Sequence, residues 1–85
     1  MHIIFYKSKL CPRCFLVKKQ LLAICQEHPH FQIEEVEILT SPLRTFRDGI
    51  NMVPALKIGD DILSGMYLSK KKIIDFITQF SSKNL

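Results

Sequence analysis

Apolar positions along this chain come in short segments, and each segment is bounded by a turn or cap signal. His2-Ile3-Ile4-Phe5-Tyr6 is a run of β-branched and aromatic side chains, the mark of a short buried strand. Lys7 to Leu10 follow as a loop. Pro12 suits the first position of a helix, where its missing N–H costs nothing, so Cys11 is the predicted N-cap. That helix runs to about Glu27, with Val17, Leu21, Ile24 and Cys25 on one face, and His28-Pro29 ends it. Phe31 to Leu39 alternates between apolar and acidic residues. The alternation slips between Ile33 and Val36, which predicts a bulge or a change of face in a half-buried strand.

Ser41-Pro42 then predicts a helix start, with Leu43 to Asp48 as a short helix closed at Gly49. Val53 to Ile58 and Ile62 to Ser64 are short apolar runs joined by Gly59-Asp60-Asp61, the pattern of a β-hairpin. Ser69 caps a last helix, to which Ile73, Ile74, Ile77 and Phe80 give an apolar stripe. The predicted order is β-α-β-α-β-β-α, an α/β arrangement.

Length and composition narrow this picture. The 85 residues make a single domain, 1–85, well above the size of about 40 at which small folds depend on disulfides or metals. The hydrophobic fraction of 47% is enough for a packed core. No apolar run approaches the roughly 18 residues of a membrane span, and no signal-peptide pattern opens the chain, so a cytoplasmic protein without a membrane partner is expected. The net charge is +4. No nucleic-acid motif or aromatic interleaving accompanies the lysines, so no nucleic-acid partner is expected. Lys70-Lys71-Lys72 would lie in the first turn of the last helix, where cations oppose the helix dipole, and a solvated face is the expected role.

The candidate chemistry lies in Cys11-Pro12-Arg13-Cys14, at the junction of the first strand and first helix. A thiol at a helix N-terminus beside Lys7, Lys9 and Arg13 has its thiolate favoured. Three cysteines, two of them spaced C-x-x-C, do not form a secreted disulfide framework and instead indicate redox or metal chemistry. Cys25 lies eleven residues beyond Cys14, about 16 Å along the helix, and is expected to pack in the core behind it. Cys11, Cys14, His28 and His30 do not make a zinc site: the histidines are too closely spaced, and the helix holds the pairs roughly 20 Å apart. No metal ligands are therefore assigned.

Tyr6 five residues before Cys11, the Cys-Pro-Arg-Cys motif, Met52-Val53-Pro54 opening the third strand and Ser64-Gly65 after the hairpin together resemble the thioredoxin fold, and within it the glutaredoxins. The resemblance spans about residues 2 to 80. It implies a mixed four-stranded sheet flanked by three helices and a thiol–disulfide oxidoreductase. Cys11 would be the nucleophile and Cys14 the resolving cysteine. It further implies a cis Val53-Pro54 bond, with the Val53 backbone pairing with substrate as an added strand. The implied substrate groove comprises Pro12, Arg13, Met52, Val53 and Pro54, completed by Gly65 and Met66. No organic cofactor or metal is implied beyond a redox-active disulfide. The electron donor would be a thioredoxin-reductase-like flavoenzyme or glutathione, and a monomer is expected.

Several glutathione contacts of glutaredoxins have no counterpart. Ser8 stands where those proteins carry Lys, Arg13 replaces the aromatic between the cysteines, and Met52 replaces Thr. Ser64-Gly65 stands for Gly-Gly, and Leu68 or Ser69 for Asp. Thioredoxins in turn carry Trp-Cys-Gly-Pro-Cys and a buried Asp where this chain has Phe5. The resemblance thus implies dithiol exchange that is not strictly glutathione-dependent. An ordinary glutathione-dependent glutaredoxin is one alternative, and a metal or iron–sulfur carrier using the C-x-x-C cysteines as ligands is another. Copper carriers with a similar motif follow β-α-β-β-α-β order and end in a strand, whereas this chain is predicted to end in a helix.

Overall fold

The computed structural model describes residues 2–65 and 68–83, with side chains as far as residue 80. Its elements follow the predicted order: β1 (His2–Lys7), α1 (Pro12–Glu27), β2 (Gln32–Glu37), α2 (Pro42–Arg47), β3 (Ala55–Ile58), β4 (Asp61–Ser64) and α3 (Lys70–Lys83). The four strands form one sheet in the order β2-β1-β3-β4. β1 runs parallel to β2, from His2 opposite Gln32 to Lys7 opposite Glu37, and antiparallel to β3, which pairs antiparallel with β4. A parallel pair needs a long crossover, and α1 supplies it.

Strand parity sorts the apolar residues onto two faces. Ile3, Phe5, Leu56 and Ile58 face α1 and α3, where they meet Cys14, Val17, Leu21, Ile24, Ile73, Phe76 and Ile77 in the main core. Tyr6, Val36, Ile50 and Ala55 form a smaller cluster on the opposite face.

The slip in β2 proves to be a change of face: the register with β1 is unbroken, Ile33 packs on the main core and Val36 on the smaller cluster. β2 is shorter than the predicted 31–39 because the Glu37 carbonyl accepts the Thr40 and Ser41 N–H groups and turns the chain. β3 begins at Ala55 rather than Val53, since Pro54 has no N–H to give to a ladder. Asp61 joins β4 instead of the turn, opposite Ile58, and Gly59 takes the positive φ of 59° that the two-residue connection requires.

Helix orientation corrects two expectations. The buried stripe of α1 is Cys14, Val17, Leu21 and Ile24; Cys25 stands only about 20° around the helix from Cys14 but at the edge of that stripe, where it is half-buried and outside both core clusters rather than packed in the core. In α3, Phe76 joins Ile73 and Ile77 in the core while Ile74 is turned outward, because positions 73, 76, 77 and 80 share one face and 74 does not. Ser69 caps α3 as predicted, its hydroxyl oxygen accepting the Lys72 N–H at 3.2 Å. Ser41 occupies the N-cap position of α2 without a side-chain cap bond; its carbonyl instead accepts the Thr45 hydroxyl at 2.7 Å.

Candidate active site

β1 delivers the chain to a tight loop in which the Cys11 N–H bonds the Ser8 carbonyl at 3.1 Å and the Ser8 hydroxyl accepts the Leu10 N–H at 3.2 Å. Cys11 is then the N-cap of α1 in an extended conformation, with Pro12 at the first helical position, and its carbonyl accepts the Cys14 N–H at 3.1 Å. No acidic residue stands in this first turn. The two cysteines, the C-x-x-C pair, are thus fixed on one turn of backbone by local chemistry.

Both thiols are largely buried, Cys11 at 8% and Cys14 at 3% exposure, and they are hydrogen-bonded to each other. Burial and the bond to Cys11 push the Cys14 thiol up to about 11, against the pull of the Ser8 backbone and the Arg13 charge. At neutral pH Cys14 therefore keeps its proton.

The remaining predicted residues frame this pair in part. Pro12 and Arg13 are exposed on the first turn of α1. The Val53-Pro54 bond is cis, Pro54 is buried, and Val53 packs against the core cluster that contains Cys11 and Cys14. Met52 is 44% exposed beside Val53, so its side chain is not core. Gly65 is half-buried, and a Cβ there would lie 3.6 Å from the Leu68 side chain. Met66 lies outside the described residues. Among the described residues, no group of three His, Cys, Asp or Glu side chains is placed to hold a metal ion. Nor, among the described residues, is any helix long and apolar enough to cross a membrane.

Two features escape a reading of the motifs alone. Leu10 and Phe15, next to Cys11 and Cys14, expose apolar side chains; Phe15 lies off the buried stripe of α1 and Leu10 in the loop before it. The second is an ion-pair group behind Cys14. Lys7 at the end of β1 and Lys18 on α1 place their ammonium groups 3.0 and 3.3 Å from one oxygen of Glu35 on β2. Burial alone would raise the Glu35 carboxyl, but these two lysines outweigh it and hold it below the usual carboxylate range. On the other face, Tyr6 donates its hydroxyl to Asp48 at 2.6 Å, tying the end of α2 to β1.

A parallel β-α-β unit with paired thiols at its helix start, followed by a β-hairpin entered through a cis-proline and closed by a helix, is the thioredoxin fold. No family model matches the sequence, and no curated protein matches it either. Solved structures do. Thioredoxin 1 of the thermophilic eubacterium Thermosipho africanus TCF52B superposes with a TM-score of 0.82 at 17% identity, over 99% of this chain and 98% of that one. The oxidised mitochondrial thioredoxin 3 of Saccharomyces cerevisiae gives 0.80 at 16% identity, over 92% of this chain and 76% of that one. A thioredoxin of Fasciola hepatica gives 0.77, at 16% identity over 92% and 78%. At such identities the likeness is one of fold, and it bears out the fold that the sequence motifs resemble.

Proposed function

We propose that this protein is a thiol–disulfide oxidoreductase working by dithiol exchange through Cys11 and Cys14. One observation carries this reading: two hydrogen-bonded thiols at the N-terminus of α1, in a fold shared with thioredoxins. In the forward step the Cys11 thiolate attacks one sulfur of a substrate disulfide. A Cys11 mixed disulfide forms, and the other substrate sulfur leaves as a thiolate that takes a proton from water. Cys14 then gives up its proton, attacks the Cys11 sulfur and expels the second substrate thiolate. Two electrons pass to the substrate and the Cys11–Cys14 disulfide remains.

Pro12, Arg13, Met52, Val53, Pro54, Gly65 and Met66 form the groove in this reading, with the Val53 backbone pairing with an extended substrate. The exposed Leu10, Phe15 and Met52 side chains support an apolar docking rim. No organic cofactor or resident metal takes part. Electrons return from a thioredoxin-reductase-like flavoenzyme or from glutathione, with the departures at Ser8, Arg13 and Met52 favouring the first, and the protein acts as a cytoplasmic monomer.

The test is turnover of bis(2-hydroxyethyl) disulfide with each donor system. Reductase-linked turnover that disappears in Cys11→Ser is expected. Turnover with glutathione alone would make the protein an ordinary glutaredoxin. No turnover with either, together with stoichiometric metal lost in Cys11→Ser, would replace the enzyme by a metal carrier.

A further inference from the structure

α1 carries the thiol pair at its start, and at its other end, about 20 Å along the helix, a cleft opens between α1 and α3. The cleft has a volume of about 370 Å³, at the small end of the roughly 300–1,000 Å³ of small-molecule sites. Its floor is apolar: Ile24 and Ile77 are buried, and Ile74 lines its side while 39% exposed. Its wall is aromatic. The Phe31 N–H donates to the His28 carbonyl at 3.0 Å, closing a turn that gathers three rings. The His28 ring stacks on Phe31 at 5.0 Å, and the His30 ring meets Phe31 edge-on at 4.6 Å. Rings favour such stacked and edge-on partners, so this wall suits one more flat ring. Two charges complete the lining, Glu27 on the last turn of α1 and Lys70 on the first turn of α3. Among the described residues neither side chain has an ion-pair or hydrogen-bond partner, and they do not pair with each other. The cleft thus offers one unmatched anion and one unmatched cation to a single occupant.

We propose that this cleft binds a small aromatic zwitterion of amino-acid size. Its ring lies against His28, Phe31 and Ile74, its ammonium at Glu27 and its carboxylate at Lys70. A purely apolar occupant would leave both charges unmatched, and an occupant with one charge would match only one of them. No bond is made or broken, and the site stands apart from the dithiol-exchange reading.

Free L-tryptophan is the probe, titrated into the full chain with amide resonances as the readout. It is expected to shift Glu27, His28, Phe31, Lys70 and Ile74 and to leave Cys11 and Cys14 unmoved. Tryptamine lacks the carboxylate, indole-3-propionate lacks the amine and L-leucine lacks the ring; each is expected to bind more weakly. In Lys70→Gln the affinity for tryptophan falls by up to about fivefold, the range of one exposed charge pair, and that for tryptamine is unchanged. In Glu27→Gln tryptophan weakens by a similar factor and indole-3-propionate is unaffected. Lys71→Gln removes a neighbouring charge of α3 outside the cleft and changes no affinity.

Absence of shifts at the cleft overturns the site. Leucine binding as tightly as tryptophan removes the ring from the recognition, and tryptamine or indole-3-propionate matching tryptophan removes one of the charges; either result overturns the zwitterion. An equal fall in Lys71→Gln overturns it too, since the effect would then be one of overall charge. Failure of disulfide turnover in the assay given above would remove the oxidoreductase and leave this site standing.

Discussion

Cys14 and Tyr6 are both buried groups that must account for a polar hydrogen, and they do so with opposite consequences. Cys14 shares its proton with Cys11 and, raised to about 11, is a poor nucleophile at neutral pH until that proton leaves. Collapse of a Cys11 mixed disulfide should therefore accelerate about tenfold per pH unit between pH 7 and 9, as the thiolate fraction of Cys14 rises. Stopped-flow release of the second substrate thiol measures this, and a flat profile would remove Cys14 from the resolving role. Tyr6 has no exposed surface and gives its hydroxyl to the Asp48 carboxylate; burial first and this bond second raise the tyrosine, while the bond lowers the aspartate. Tyr6→Phe keeps the packing but leaves a charged acceptor short of a donor, a loss of about 1.5–3 kcal/mol. Urea unfolding should show a lower midpoint at unchanged slope. The sequence marks Tyr6 as buried and apolar; its partner lies 42 residues away, beyond the reach of any local pattern.

At the level of elements, α1 and α2 bury their side chains in contrasting ways. α1 presents four buried residues to the main core, and Leu21→Ala there should cost about 2–5 kcal/mol through lost contact and a residual cavity. α2 contributes no buried residue at all. Its sheltered side is polar: Arg44 pairs with Glu34 at 2.6 Å and Asp48 at 3.6 Å, while Leu43 and Phe46 are 84% and 85% exposed. Phe46→Ser should change stability by no more than about 0.5 kcal/mol. Comparing the two variants by urea unfolding tests whether α2 is held by ion pairs and hydrogen bonds rather than by packing. The existence of both helices was legible from Pro12, Pro42 and Gly49, since caps are local chemistry. The inverted orientation of α2 was not, because it is set by Glu34 on β2 and Tyr6 on β1.

Across the whole molecule, the titrating groups bound stability on both sides of neutrality. Glu34 is lowered by Arg44 and then His2, Glu35 by Lys7 and Lys18 against its burial, and Asp48 by Tyr6 and nearby cations. Their folded values lie below their unfolded ones, so their contribution is present above the usual carboxylate range and disappears as pH falls through it. Cys14 and Tyr6 are raised, so theirs is complete below about pH 9 and lost as pH climbs toward 11 and beyond. Urea midpoints should be highest between about pH 5 and 8 and fall on both sides. The acid limb should flatten in Glu34→Gln and weaken with salt, which screens these exposed pairs.

The order of elements, their approximate ends and the pairing of a dithiol with a helix start were already legible in the chain. Periodicity, prolines, glycines and caps act over a few residues, and the chain states them directly. Tertiary structure alone decided which side of each element turned inward. A helix rotates about 100° per residue, so one step separates buried Ile24 from half-buried Cys25, and buried Ile73 from exposed Ile74. It also placed β1 between β2 and β3, and so brought Lys7, Lys18 and Glu35 from three elements to one point behind Cys14. In sequence those three residues are scattered surface charges. Only the packing of β1, α1 and β2 gathers them into a field at the candidate site.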